Sequence, residues 1–229
     1  MNRIVIPGQQ RTEAWFAARC GCITASNMHC VMAKPKAAKK DGTYSDAPSA
    51  EATTRMNYRV RLAIEQITGI PDKEDTISTP AMRRGEEREA AAAMHYEIVT
   101  GNEVEHVQFV KFDGHPIGAS PDGLVGKRGG IETKCGNQAT HLSYLQRTTV
   151  PPEYEWQVHG VIWVCELDWV DFVSYHPDFP EALRLAIIRV RRDEEKIRQL
   201  QEGCGIFIGD VARTRRLIEN LMAQHKEAA

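Results

Sequence analysis

Ser120-Pro121-Asp122-Gly123-Leu124-Val125-Gly126-Lys127-Arg128-Gly129-Gly130-Ile131-Glu132-Thr133-Lys134 is the stretch whose reading decides what this chain is. Two short apolar runs, around Leu124-Val125 and Ile131, flank glycines and charges, the pattern of two strands joined as a hairpin. Folding it places Asp122 at the start of one strand and Glu132 with Lys134 on the next. Strand side chains alternate between faces, so Glu132 and Lys134 project together, while Thr133 points away and offers only its backbone carbonyl. By themselves the three residues read equally well as a Pro-Asp-Gly turn followed by two surface charges.

What separates the two readings is chemistry. Two carboxylates and a carbonyl are hard oxygen donors, which suit Mg²⁺ or Mn²⁺ better than a thiolate-preferring metal. Lys134 does not ligate while protonated. It positions an attacking water, or deprotonates it if burial or an adjacent metal brings the amine toward neutrality. That combination fits phosphodiester hydrolysis, in which a metal acidifies water and screens charge growing on the phosphate.

Working outward, the pattern predicts helices over Thr12 to Arg19, from Thr24 through Met32, over Glu51 to Thr68, and from Pro80 to Thr100, the last ended by Gly101. Gly21 separates the first two. Lys34 to Ser49, with four lysines (Lys34, Lys36, Lys39, Lys40) and two prolines, reads as a mobile basic loop, and Asp72 to Asp75 as a charged turn. From Glu103 the period changes: Val104, Val107, Phe109, Val110 and Phe112 predict a strand, followed by Ile117 and then the hairpin. Asn137 to Arg147 and Pro152 to Cys165 read as helices, Trp169 to Tyr175 as a strand, and the remainder as two charged helices. The order predicts an α/β (α+β) fold, a central mixed sheet flanked by helices, as one domain over residues 1–229.

Composition bounds the function. With 29 basic and 31 acidic side chains and a net charge of -2, the chain is not one that coats nucleic acid by bulk charge, although a local basic surface is compatible with it. The N-terminal apolar run is too short for a signal peptide, and no stretch reaches the length of a membrane span, which places the expected location in the cytoplasm. Six scattered cysteines are read as reduced thiols. A zinc site from Cys20, Cys22, His29 and Cys30 is the lesser alternative for four residues that otherwise pack.

Pro121-Asp122 followed by Glu132-Thr133-Lys134 resembles the PD-(D/E)xK nuclease superfamily, in which a Pro-Asp dipeptide precedes an Asp/Glu-x-Lys strand; this implies a restriction-endonuclease-like core. Three further segments are similar to the phage lambda exonuclease-like, YqaJ-type viral recombinase family. Arg19-Cys20-Gly21-Cys22-Ile23-Thr24-Ala25-Ser26 matches the motif whose arginine and serine hold a terminal 5′-phosphate, and Ser26 in a first helical turn would suit an anion. Gly85-Glu86-Glu87-Arg88-Glu89 matches a Gly-x-x-x-Glu helix that contributes another acid to the metal site, at Glu89. Tyr154-Glu155-Trp156-Gln157 matches the motif whose tyrosine and glutamine flank the reacting phosphate; a spacing of three puts them on one helix face. His159 stands where the family often has a second glutamine.

The resemblance implies a metal-dependent 5′-to-3′ exonuclease that degrades one strand of linear double-stranded DNA from a 5′-phosphorylated end to mononucleotides, leaving 3′ single-stranded tails for recombination by strand annealing. Its expected cofactor is Mg²⁺, with Mn²⁺ substituting. Implied metal ligands are Asp122, Glu132, the Thr133 carbonyl and Glu89, with Lys134, Gln157 and Tyr154 completing the catalytic set. Expected partners are double-stranded DNA ends, two further copies in a homotrimeric ring, and a single-strand annealing protein, in the bacterial host of a phage or prophage. The alternatives are a restriction or junction-resolving PD-(D/E)xK endonuclease and a non-catalytic DNA-end-binding recombination module.

Overall fold

A computed structural model describes residues 2–34, 51–72 and 80–227, with the backbone alone for 80–87 and 227. The basic segment from Lys34 to Ser49 and the charged turn at Asp72 to Asp75 lie almost wholly outside the described residues.

The quoted stretch forms the expected hairpin. Strand β6 (Gly123–Val125) pairs antiparallel with β7 (Gly129–Thr133), Gly123 facing Ile131 and Val125 facing Gly129. The turn between them needs the left-handed backbone that Gly126 adopts at φ 56°. Strand β8 (Trp169–Tyr175) runs parallel to β7, Glu132 beside Phe172. A parallel neighbour requires a long crossover. Helices α5 (Gln138–Leu145) and α6 (Pro152–Cys165) supply it. With β3 (Val104–Glu105) beside β6 and β9 (Leu185–Arg191) beside β8, the hairpin becomes part of a five-stranded mixed sheet ordered β3-β6-β7-β8-β9.

A second, four-stranded sheet, ordered β1 (Arg3–Ile6), β4 (Phe109–Phe112), β5 (Ile117–Ala119) and β2 (Ile23–Thr24), covers the other side of α6. Helix α6 touches both sheets. Every residue from Val158 to Val164 is buried, the all-round apolar character of a central helix. A Cβ added at Gly160 would lie 2.3 Å from Met28 Sδ, so only glycine lets α6 approach this closely. The α/β class and the helix-flanked mixed sheet are as the sequence predicts.

Four details differ. The expected strand from Val104 to Phe112 is two, β3 and β4, in different sheets. Its apolar residues feed two separate hydrophobic clusters, a distinction that a run of valines and phenylalanines does not encode. The helix expected from Thr24 is instead β2, one 3-10 turn (Ala25–Asn27) and the short α2 (Met28–Val31), because the Ile23 amide donates to the Pro116 carbonyl and joins β5. The two expected C-terminal helices are β9 and a single 34-residue α7 (Glu194–Glu227). Ala186 and Ile188 alternate inward in β9, while its arginines point out. Helix α7 runs through Gly203, Gly205 and Gly209 because Ile197, Leu200, Cys204, Phe207 and Val211 form a buried stripe along it. Finally, the N-terminal run is the edge strand β1. The remaining helices, α1 (Glu13–Arg19), α3 (Thr53–Thr68) and α4 (Pro80–Thr100), match their predicted spans to within two residues.

Candidate active site

Asp122 ends the segment just before β6, and Glu132 occupies the fourth position of β7, so the hairpin register sets the two acids opposite each other. The Thr133 amide donates to Asp122 Oδ2 at 2.6 Å, and the Lys134 amide donates to the Val173 carbonyl at 2.7 Å, continuing the ladder to β8. Asp122 is thus held by the backbone of the strand that carries Glu132, and that strand is in turn held to β8.

Glu132 is only 2% exposed. Its Oε1 accepts from Lys134 Nζ at 2.6 Å and from Gln157 Nε2 at 2.5 Å, whereas its buried Oε2 has no partner among the described residues. Lys134 Nζ also lies 5.1 Å from the ring centroid of Tyr154, and Tyr154 packs against Phe172 of β8. The first two turns of α6 therefore bring Tyr154 and Gln157 onto the β7 acid and lysine, and the spacing of three that sets both on one helix face lets them act together. His159 on the same helix is buried among Glu155, Asp193 and Lys196, apart from this group, and its Nδ1 has no partner among the described residues.

Electrostatics set the protonation of this group. Burial and then the neighbouring Glu132 push the Asp122 carboxyl up to about 7. Burial pulls Lys134 down, but Glu132 and Asp122 together outweigh it and hold the amine above the ordinary lysine value. Lys134 here is an ammonium, not the near-neutral amine that burial alone would make.

Glu89 reaches the same region from α4. It lines a cavity of about 360 Å³ that also holds Asp122 and Thr133, and its carboxylate is forked by the Arg11 guanidinium at 3.0 and 3.1 Å. Burial raises its pKa, opposed by Arg11. Arg19 stacks 3.9 Å from the Trp15 ring and donates to Ser120 Oγ at 3.4 Å, so it borders the segment leading into Asp122. Ser26 Oγ lies 3.2 Å from Thr24 Oγ1, and Thr24 lines one small pocket with Arg19. The residues that sequence reading missed are Gln10, Arg11 and Trp15, together with a role for Ser120, which the sequence places just before Asp122 without showing its contact. Gln10, Arg11 and Trp15 carry no periodic or motif signal pointing to the acids; only tertiary contact reveals them.

Among the described residues no three His, Cys, Asp or Glu side chains converge as a metal cage, the Cys20, Cys22, His29 and Cys30 set included. A cation at the Asp122–Glu132 pair would use two carboxylates and a backbone carbonyl and draw its other oxygens from water or substrate. Mg²⁺, which keeps several waters, binds in this manner. The unpartnered buried Glu132 Oε2, and the burial and Glu132 repulsion that raise Asp122, both fit a positive charge between the acids.

An Asp-bearing hairpin, a Glu-x-Lys strand parallel to its neighbour, and a following helix that supplies glutamine to the glutamate define a PD-(D/E)xK nuclease fold. A family described as the YqaJ-like viral recombinase domain matches residues 14–168. The chain belongs to this family, which is the lambda exonuclease-like group. Its fold is similar to that of LHK-Exo in complex with dAMP, with 33% identity, a TM-score of 0.80, and coverage of 93% of this chain and 99% of that one. A second structure of this alkaline exonuclease, from Laribacter hongkongensis, gives 32% identity, a TM-score of 0.79 and the same coverage. A phage related exonuclease from Haemophilus somnus 129PT, 18% identical over 87% of this chain and 96% of its own, shares the fold at a TM-score of 0.63. Among curated proteins no match is found. No helix among the described residues is long and apolar enough to cross a membrane.

Proposed function

We propose that this chain is a metal-dependent exonuclease that digests one strand of linear double-stranded DNA in the 5′-to-3′ direction from a 5′-phosphorylated end, releasing mononucleotides and leaving a 3′ single-stranded tail. The observation that carries the metal-dependent nuclease part of the reading is Glu132: two donors engage Oε1, while Oε2, buried beside Asp122, has no partner among the described residues. Polarity and end dependence rest on membership of the family.

Asp122, Glu132 and the Thr133 carbonyl would hold Mg²⁺, or Mn²⁺ in its place, with Glu89 as a further acid. Such an ion acidifies water and offsets charge on the scissile phosphate. Lys134, held protonated by Glu132 and Asp122 in the metal-free site, orients the attacking water and the phosphate as a donor. Gln157 fixes the glutamate, and Tyr154 packs over the lysine. Arg19 and Ser26 bind the terminal 5′-phosphate, for which a guanidinium supplies bidentate contacts. Digestion from such ends suits recombination by strand annealing in a phage-infected or lysogenic bacterial cytoplasm. A homotrimeric ring around the duplex and a single-strand annealing protein complete the proposal.

The deciding experiment incubates end-labelled, 5′-phosphorylated linear duplex beside a covalently closed circle in Mg²⁺. Label released as mononucleotide from the 5′ end, with the circle intact, is expected. Cutting of the circle would instead establish an endonuclease, and no release from either a non-catalytic end-binding module. Light scattering on the purified protein measures the ring, with three protomer masses expected.

A further inference from the structure

Glu89 stands on α4, whereas Asp122 and Glu132 stand on the hairpin, and nothing in the local sequence relates the two. Two turns along α4, Tyr96 donates to the buried Asp171 of β8 at 2.8 Å and so fixes that end of the helix to the sheet. The Glu89 end is held by something else. Gln10 Nε2 donates both to the Pro121 carbonyl at 2.8 Å, one residue before Asp122, and to the Val107 carbonyl at 3.1 Å. The next residue, Arg11, forks onto both oxygens of Glu89. The residue after that, Thr12, caps α1, its Oγ1 accepting from the Trp15 amide. Arg11 is therefore pinned on both sides, in the left-handed backbone at φ 64° that a side-chain-bearing residue rarely adopts.

We propose that Gln10 and Arg11 are positioning residues: a strap that fastens the Asp122 segment to Glu89 and sets the α4 acid in register with the hairpin acids for cation binding. The inference rests on the nuclease reading above. A bidentate arginine–carboxylate pair fixes both the position and the plane of a carboxylate, which a single contact does not. Partners of this kind behind metal-binding carboxylates typically change metal affinity by about 10–100-fold when removed. Because the strap reaches Glu89 and the Pro121 carbonyl at once, it couples α4 to the Asp122 segment, beside the apolar packing of Ala93 and Tyr96 on Val125 and Ile131.

Arg11→Gly tests this without backbone strain, since glycine accepts the left-handed conformation. It is compared with Arg11→Lys, Glu89→Gln, the Arg11→Gly/Glu89→Gln double variant and Asp122→Asn, after thermal melts confirm folding. Mn²⁺ binding is titrated calorimetrically without DNA, and kcat and KM are measured separately on linear duplex. Arg11→Gly is expected to weaken Mn²⁺ binding and lower kcat, each roughly 10-fold, with KM for DNA changed by less than about twofold. Arg11→Lys should recover only part of this. The double variant should match Glu89→Gln alone. An unchanged Mn²⁺ isotherm, an effect confined to KM, or additive losses in the double variant would overturn the strap; the last two would make Arg11 a DNA contact or an independent scaffold. If Arg11→Gly and Glu89→Gln are silent while Asp122→Asn abolishes nucleotide release, the strap fails and the nuclease reading stands. Full release by Asp122→Asn would instead remove the nuclease reading itself.

Discussion

Replacing Asp122 with Asn should inactivate the protein and, in the absence of metal, stabilise it. Burial and the facing Glu132 hold this acid at about 7 in the fold, against 3.8 for an ordinary aspartate. At about 1.4 kcal/mol per pH unit, that corresponds to roughly 4 kcal/mol of lost stability once pH exceeds both values. The sign follows from proton binding. Below pH 4 folded and unfolded chains both carry the proton and the penalty vanishes. Between about 4 and 7 the folded protein keeps a proton that the unfolded chain has released, so stability falls as pH rises. Above 7 the loss is complete. Asparagine carries no charge, and its carbonyl still accepts from the Thr133 amide, but its half-buried NH₂ needs a new partner, so a net gain of about 2 kcal/mol is expected. For a chain of this size that raises Tm by about 4–8 °C. The assay is a pair of thermal melts in EDTA, at pH 8.5 and pH 5: the variant should gain most at pH 8.5 and much less at pH 5. Adding Mg²⁺ should raise the wild-type Tm and leave the variant nearly unmoved. A variant no more stable than wild type at pH 8.5 in EDTA would refute the claim that burial and the facing Glu132 penalise the ionised Asp122.

Lys134→Ala should lower kcat for nucleotide release by at least about 10²-fold while gel-shift binding to the same duplex persists, because the ammonium acts on the reacting phosphate. Apparent Mg²⁺ affinity, titrated calorimetrically, should climb as pH rises through about 7, the range in which Asp122 of the metal-free site loses its proton; a flat affinity from pH 6 to 8.5 would exclude its ionisation as a requirement. Arg19→Ala should narrow the preference for 5′-phosphate over 5′-hydroxyl ends in a competition digest, and equal rates on both ends by the wild type would contradict the phosphate assignment. Arg189→Ala should destabilise the fold by about 3 kcal/mol in urea titration, since it leaves the buried Asp171 with Tyr96 and without its bidentate cation.

The candidate site was legible where its geometry is local. A hairpin of fixed register carries Asp122 to Glu132 within eleven residues, and helical spacing alone aligns Tyr154 with Gln157. It was illegible where partners come from far along the chain. Arg11 and Glu89 are 78 residues apart, and the left-handed backbone that aims Arg11 is imposed by Gln10 and Thr12 finding their own partners. The protonation of Lys134 was likewise open in the sequence, because burial and the two acids act in opposite directions and only their distances decide which prevails.

For the fold the division has the same cause. Periodicity, caps and glycines, which act between neighbours in the chain, determined α1, α3, α4, α5, α6 and β8. They also determined that an acid, a second acid and a lysine would meet at one hairpin. Only the tertiary structure decided that Val104 and Phe109 belong to different sheets, that Leu185 to Arg191 is an edge strand, and that three glycines lie inside one continuous helix. Those outcomes depend on what each segment packs against. A seven-residue apolar alternation, or a glycine facing Met32, takes its meaning from a partner that the chain itself does not place beside it.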